Sequence, residues 1–314
     1  MKTNWFLFTA LCLLVVFSPS CKQKENKNKE IVIAIIPKVD NEIFNQVKKS
    51  ATEKAKKLGI VMTWEAPTSI DGLKQKELIE NLIHYKVDGI LISCNDAEML
   101  REPINKAIKA GIKVGTFDSD SPNSDRLFYV GTDHQKAGKV CAETMMRLFS
   151  EANKIPNQII VLSGGASASN MTERLIGFRS ALNQGIISEV LYSFEMPDYG
   201  KELLTMHLTP DKKVTGLQML WGVPVLNGVD SIPVLDKFVN NGGVSVFFDV
   251  SKPLLNYIKD HPTTATMKQD FHSMGHDGVM NLYNAIIGQP YELQILYDVK
   301  VIDKNNAAEE IKKL

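Results

Sequence analysis

The chain has 314 residues, 44% of them hydrophobic, and carries 36 basic and 36 acidic side chains. This length is enough for one large or two medium α/β domains, each with a core of its own. A formal net charge of zero and the lack of a basic N-terminal helix-turn-helix segment give no reason to expect nucleic acid as a partner.

The first twenty residues have the order of an export signal. Lys2 precedes an apolar run over 5–17, which is shorter than the roughly 20 residues that a membrane-spanning helix needs. Small residues follow, then Cys21 and a polar stretch that is rich in Lys and Asn and cannot bury itself. We therefore predict a signal peptide at 1–20 and a flexible tether at 21–30.

The thiol that follows the small residues resembles the end of a bacterial lipoprotein signal. The resemblance implies that Cys21 is the lipidated first residue of the mature protein, which would be anchored in the cell envelope. The alternative is an unanchored periplasmic protein that is cleaved nearby. No later apolar run approaches membrane-spanning length.

From residue 31 onward, short apolar strands alternate with amphipathic helices. Strands are predicted at 31–36, 61–64, 89–93 and 113–117, and helices at 45–58, 73–85 and 97–110. This order is typical of a parallel, doubly wound sheet with right-handed crossovers.

A second series of the same kind follows. Helices are predicted at 135–149 and 172–184, and strands at 159–162, 190–194, 216–220, 244–248 and 264–268. Two such series are too long for one sheet, so we predict two similar α/β lobes. The passage 129–133 is short and contains Gly131, as a hinge crossing would.

Ligands of open parallel sheets bind at the carboxyl ends of the strands. Carboxylates, amides, cations and aromatic side chains follow the predicted strands at Lys38, Asn41, Phe44, Asp118, Asp120, Asn170, Arg174, Trp221, Asp249 and Gln269. Such polar groups hydrogen-bond hydroxyls, and flat aromatic faces cover the apolar face of a sugar ring. Asn41 and Asn170 also suit helix caps, and Arg174 also suits an ion pair with Glu173.

Taken in order, several segments resemble the type I periplasmic binding proteins of sugar ABC transporters, in the ribose-binding branch. The matching segments are 33–44, 87–92, 116–120, 129–133 with Ala137 and Gly138, Arg174 with Gly177 and Phe178, and finally Asp249 and Gln269. Together they extend over nearly everything from 31 to about 300.

The resemblance implies ligand contacts from Asn41, Phe44, Asp118, Arg174, Asp249 and Gln269, with Trp221 in the place of an amide and Tyr199 near an aromatic wall. Ile43, Ser119 and Pro37 depart from the ribose-binding pattern. The resemblance also implies three crossings between the lobes, the second near Gln269 and the third near 289–290. Lobe I would then comprise 31–132 and 270–288, and lobe II 133–269 and 289–314.

We therefore expect a monomeric, non-enzymatic protein that closes on a monosaccharide or related polyol and delivers it to an ABC transporter permease. A ligand sensor for a membrane kinase or chemoreceptor is one alternative, and an α/β enzyme acting on a sugar or nucleotide is another. Cysteine and histidine spacings give no metal or disulfide pattern, and Ser163-Gly164-Gly165 lacks a nucleotide-binding spacing, so no metal or cofactor is expected.

Overall fold

The computed structural model describes residues 30–183 and 185–314, so the predicted signal peptide and Cys21 lie outside the described residues. The strands are β1 (Val32–Ile36), β2 (Val61–Trp64), β3 (Gly89–Ile92), β4 (Lys113–Phe117), β5 (Phe128–Thr132), β6 (Gln158–Ser163), β7 (Ile187–Tyr192), β8 (Val214–Met219), β9 (Val244–Phe248), β10 (Thr264–Lys268), β11 (Gln294–Tyr297) and β12 (Lys300–Asp303). The helices are α1 (Asn45–Leu58), α2 (Gly72–Tyr85), α3 (Arg101–Lys109), α4 (His134–Glu151), α5 (Ser169–Ser180), α6 (Pro197–His207), α7 (Pro233–Asn240), α8 (Lys252–Asp260), α9 (Phe271–Ile286) and α10 (Ala307–Ile311).

These strands form two six-stranded sheets. The first has the order β11-β5-β4-β3-β1-β2 and the second the order β12-β10-β9-β8-β6-β7. All pairings are parallel except that β12 runs antiparallel to β10. The predicted pair of doubly wound α/β lobes is thereby confirmed.

The β-branched composition of β1 explains why it lies inside the first sheet. Ile33 and Ile35 pack into the core on one face, and Ala34 and Ile36 pack into the core on the other. Successive strand side chains point to opposite faces, so a strand covered on both sides must be apolar throughout. The second sheet is likewise covered on both faces by two hydrophobic clusters.

We call the first sheet with α1, α2, α3 and α9 lobe I, and the second sheet with the remaining helices lobe II. The helix that follows the second crossing, α9, packs on α1, β3, β4 and β5 and so returns the chain to lobe I. The chain passes between the sheets at Asp133, at 269–270 and at 298–299.

The third of these crossings was expected near 289–290, and that boundary is wrong. The chain instead turns at Gly288 and adds β11 to the edge of the first sheet, beside β5, before it crosses. Ile295 and Tyr297 pack against the core of lobe I, while Leu296 is exposed. This half-buried face and the pairing with β5 place the short strand in lobe I.

Each lobe contains one free thiol. Cys94 lies in lobe I and Cys141 on α4 in lobe II, and neither side chain is exposed. Both pack into hydrophobic clusters as small apolar side chains. No helix among the described residues is long and apolar enough to cross a bilayer.

Candidate functional site

The carboxyl ends of the strands in the two sheets face a common cavity. Residues of both lobes line it: Lys38, Val39, Asn41, Ile43, Phe44, Ile70, Asp118 and Phe271 on one side, and Asn170, Met171, Arg174, Glu195, Trp221, Val223, Asp249 and Gln269 on the other and at the crossing. The cavity measures about 40 Å³, which is room for about three water molecules. Lys38 of lobe I and Glu195 of lobe II meet across it, so the cleft is closed.

Two buried aspartates occupy equivalent places in the two lobes. Asp118 directly follows β4 and Asp249 directly follows β9, and both have left-handed backbone conformations, with φ of 55° and 63°. Aspartate is one of the few residues that tolerate this region. The abrupt turn after each strand directs both carboxylates into the cavity.

Each of these carboxylates is held by a neighbouring polar group. Ser93 Oγ donates to Asp118 Oδ2 at 2.8 Å, and Gln269 Nε2 donates to Asp249 Oδ1 at 2.7 Å. Burial raises the pKa of Asp249 above its ordinary value, while the positive charge of Arg174 and the hydrogen bond from Gln269 oppose that rise. Both side chains are fixed as acceptors before a ligand arrives.

Arg174 projects from α5 and is almost completely buried. Its guanidinium group donates to His134 Nδ1 at 3.2 Å, to the Leu220 carbonyl at 2.9 Å and to Gln269 Oε1 at 2.8 Å. Its central carbon lies 3.9 Å from the ring centroid of Phe248, within the range of a cation–π contact. The alternative ion pair with Glu173 is not among these contacts; the cleft location that was predicted is the one observed.

His134, the first residue of α4, joins this arginine to the first crossing. Its Nε2 lies 2.7 Å from the Asp118 carbonyl oxygen and 3.1 Å from the Tyr129 hydroxyl. Because Arg174 donates to Nδ1, that nitrogen must accept and the ring proton must reside on Nε2. Burial and the Arg174 charge hold the pKa of His134 well below its ordinary value, so the ring is neutral.

Gln269 connects two of the three crossings. Its Oε1 accepts from Thr132 Oγ1 at 2.8 Å as well as from Arg174, and its Nε2 donates to Asp249. Thr132 ends β5 just before the first crossing, and Gln269 lies at the second. A single amide therefore links the hinge to the floor of the cavity.

An ion pair closes the cavity between the lobes. Lys38 Nζ, after β1, lies 3.0 Å from Glu195 Oε1, after β7, and both side chains are more than nine-tenths buried. The sequence predicted Lys38 but not Glu195, although Glu195 directly follows the strand predicted at 190–194. In the structure the strand ends at Tyr192, and the left-handed residues Phe194 and Glu195 turn the chain toward the cavity.

Apolar and unpaired polar groups complete the lining. Phe44 and Trp221 are buried, and Phe44 packs edge-on against Phe117 and Phe271. Asn170 is 3% exposed and its Oδ1 has no hydrogen-bond partner. A buried amide oxygen without a partner is costly, so this group is suited to receive a hydrogen bond from a bound molecule.

Nine of the eleven residues predicted at the cleft line the cavity, including Asn41, which also caps the short helical turn Glu42–Phe44 as the alternative proposed. Asp120 does not line it. Its carboxylate binds Arg126 and Thr116, because the tight turn at Ser119 directs consecutive side chains to different surroundings.

Tyr199 is the second misplaced residue. It lies on α6, packs against the core of lobe II and stacks on Phe194, with 6.3 Å between ring centroids. The family resemblance placed Tyr199 near an aromatic wall, but a resemblance does not give the direction in which a helical side chain points. Among residues 30–183 and 185–314, no cluster of His, Cys, Asp and Glu is arranged to hold a metal ion.

The family described as "Periplasmic binding protein domain" matches residues 32–290. The D-xylose-binding periplasmic protein of Haemophilus influenzae is 28% identical over 170 residues, which cover 54% of this chain and only 48% of that protein. The chain thus spans about half the length of that relative. The ribose import binding protein RbsB of the same organism is 23% identical over 298 residues, covering 94% of this chain and 99% of the relative.

One solved structure with the same architecture is an ABC transporter solute-binding protein from Burkholderia graminis in complex with D-arabinose. Its sequence is 30% identical, its TM-score is 0.80, and the superposition covers 88% of this chain and 96% of that one.

Proposed function

Because the chain belongs to the periplasmic binding protein family, we propose that it binds a monosaccharide or related polyol between its lobes and delivers it to an ABC transporter permease. Relatives named for xylose and ribose and a similar structure that holds D-arabinose support this ligand class. The family and these relatives are binding proteins of transporters rather than enzymes.

One observation carries the proposal: a cavity between two sets of strand ends holds fixed hydrogen-bonding groups and an unpaired amide oxygen. Asp118, Asp249 and Asn170 offer acceptors to ligand hydroxyls, and Arg174 is fixed beside them. Phe44 and Trp221 supply flat apolar faces for the C–H side of a sugar ring. A molecule without matching hydroxyls would leave these buried polar groups unpaired, which disfavours it strongly.

The mechanism that this geometry supports is hinge closure. A ligand binds the strand ends of one lobe, and closure then adds the contacts of the other lobe. The closed form gains population because it alone makes both sets of contacts. Gln269, which touches the crossings as well as Asp249, would transmit ligand binding to the hinge.

A thermal-shift screen against neutral sugars and polyols tests the proposal. A ligand at about 100 times its dissociation constant should add roughly 2.7 kcal/mol of stability. Mass spectrometry of the released ligand should recover the sugar unchanged, whereas a modified product would favour an enzyme. If no monosaccharide or polyol raises the melting temperature, the proposal fails.

We further propose that the protein is exported and attached to the membrane through Cys21, which lies outside the described residues. Mass spectrometry of the membrane fraction should find a diacylglycerol-modified Cys21 at the mature N-terminus. Cys21→Ser should release the protein from the membrane fraction, while Cys94→Ser should leave it there. An unmodified N-terminus in the soluble fraction would exclude the anchor.

A further inference from the structure

The ion pair between Lys38 and Glu195 is formed by side chains from different lobes, 157 residues apart in sequence. Their relative exposures are 6% and 7%, so the two charges are largely removed from water. Removing one partner of a buried pair leaves an uncompensated charge, whereas removing both does not. Because its two partners belong to different lobes, the pair can form fully only when the lobes are closed.

Each partner is held in place by its own lobe. In lobe I, Gln75 Nε2 donates to the Pro37 carbonyl and Asn95 Nδ2 donates to the Lys38 carbonyl, both at 3.0 Å. In lobe II, Glu195 has a φ of 55°, and its amide donates to the Gly164 carbonyl at 2.6 Å. Contacts within each lobe thus hold the two loops in the positions from which these side chains meet.

Gly164 makes the approach of Glu195 possible. A β-carbon on Gly164 would lie 2.9 Å from Glu195 Cγ and 2.7 Å from Met171 Sδ. Phe194, the residue before Glu195, also has a left-handed φ, of 53°. Consecutive residues in this sparsely populated region persist only where the surrounding contacts enforce them.

The charges around the cavity determine which ligands it accepts. Two cations, Lys38 and Arg174, face three carboxylates, Asp118, Glu195 and Asp249. Glu195 engages Lys38, and protein acceptors engage three N–H groups of Arg174. The hydrogen bonds of Arg174 go to neutral acceptors, and the two cations and three carboxylates together leave the lining one negative charge in excess. A carboxylate or phosphate on the ligand would add to that excess, and Glu195 would keep it from pairing with Lys38.

We propose that the Lys38–Glu195 pair is a specificity determinant that limits the site to uncharged sugars and rejects sugars bearing a carboxylate or phosphate. The inference rests on the proposed sugar-binding function. Glu195 occupies the position beside Lys38 that an anionic ligand group would need. Like charges brought together in a closed, water-poor site are strongly unfavourable.

Glu195→Gln tests this directly, because glutamine keeps the shape of the side chain and removes its charge. Titration calorimetry would compare D-glucose with D-glucuronate and D-ribose with D-ribose 5-phosphate. Wild-type protein should bind the neutral member of a pair at least about tenfold more tightly. In Glu195→Gln, the affinity for the anionic member should rise at least about tenfold as Lys38 becomes available.

Lys38→Gln provides the reciprocal test. It leaves Glu195 without its cation, so the variant should bind D-glucosamine, a cationic sugar, better relative to D-glucose than wild-type protein does. Lys38→Gln/Glu195→Gln removes both charges and should lose both gains. Glu77→Gln, which removes an exposed ion pair of 2.7 Å with Lys74 outside the cavity lining, should match wild type.

Circular dichroism establishes that each variant is folded before titration. If wild-type protein binds the anionic sugars as well as the neutral ones, or if Glu195→Gln binds neutral sugars without gaining anionic ones, the specificity inference is wrong and the binding function stands. If no sugar in the panel binds wild-type protein, the proposed function itself fails.

Discussion

At the scale of single residues, the cavity is built from side chains that are fixed by one another. Asp118 and Asp249 turn into it through left-handed backbone, and Gln269 ties Asp249 to Arg174 and Thr132. Fixed polar groups lose little conformational freedom when a ligand arrives, which favours affinity.

Asp249→Ala should weaken sugar binding by about 10- to 100-fold, since hydrogen bonds to charged groups contribute about 1.5–3 kcal/mol. Titration calorimetry measures the change, and circular dichroism checks the fold. Asp211→Ala, at an exposed position, is the matched control. An unchanged affinity in Asp249→Ala would remove this residue from the site.

His134 predicts a pH dependence of stability. Its pKa in the folded protein lies well below the ordinary value of about 6.5, so the unfolded chain binds the proton more readily. The contribution of neutral His134 is present above pH 6.5 and is lost as the pH falls toward the native pKa. Between pH 7 and 5.5 the free energy of unfolding should fall by about 1 kcal/mol from this residue.

Urea denaturation at the two pH values measures this loss. His134→Gln, although less stable at pH 7, should show a smaller drop between the two pH values than wild type. His84→Gln, at an exposed histidine, should keep the wild-type drop. Equal drops in wild type and His134→Gln would contradict the assignment.

Ligands of open parallel sheets bind at the carboxyl ends of the strands, and this rule located most of the cavity lining from sequence. The rule needs only the positions at which apolar runs stop. It placed Asp118, Asp249 and Gln269 correctly, since their strands end where hydrophobicity ends. It misplaced Asp120, whose direction depends on a turn at Ser119, and missed Glu195, whose loop follows a less regular edge strand. Side-chain direction after a turn is set by local φ and ψ, which residue type alone does not fix.

At the scale of elements, the contact between α4 and α5 positions the arginine. A β-carbon on Gly138 would lie 2.0 Å from the Arg174 carbonyl oxygen, and one on Gly177 would lie 1.9 Å from the Gln135 carbonyl oxygen. The two helices can approach this closely only because both positions lack side chains. His134 and Arg174 are thereby brought together.

Gly177→Ala should lower the free energy of unfolding by about 1–3 kcal/mol, because the added methyl group must displace backbone. The gain in helix propensity of about 1 kcal/mol does not offset that displacement. Sugar affinity should fall as well, since α5 carries Arg174. Urea denaturation and calorimetry measure the two effects.

Gly165→Ala is the control, since a β-carbon there would meet nothing within 4 Å. It should leave the free energy of unfolding within about 0.5 kcal/mol of wild type. A Gly177→Ala variant as stable as wild type would show that the helices can separate without cost.

The paired series of strands and helices was predictable because each strand is an apolar run followed by a helix with one apolar face. The third crossing was not. Residues 294–297 have one half-buried face and come shortly after Pro290, so their pattern matches an exposed connection as well as an edge strand. Only the pairing of β11 with β5 decides to which lobe they belong.

At the scale of the whole molecule, the proposed mechanism requires the two lobes to open for a ligand to enter and to close once it is bound. Lys38 and Glu195 meet across the cleft with both side chains largely buried, so this contact has to open before a sugar can enter. In the proposed hinge mechanism we therefore expect the lobes to separate, with Asp133, 269–270 and 298–299 as the connections that bend.

Small-angle X-ray scattering should detect this motion. The radius of gyration of ligand-free protein should exceed that of protein saturated with its sugar. In Lys38→Gln, the ligand-free value should be at least as large as in wild type, because a contact specific to the closed form is lost. Identical scattering with and without a bound sugar would contradict a hinge mechanism.

The two buried thiols, Cys94 in lobe I and Cys141 in lobe II, allow the opening of each lobe to be followed separately. Burial raises the pKa of Cys141 to about 12 and that of Cys94 further still, so neither forms the reactive thiolate in the native protein. Iodoacetamide should label each cysteine only after its own lobe has opened locally or unfolded. Peptide mapping of the alkylated sites over time would then give one rate for each half of the molecule, and show whether the two halves come apart together or in turn.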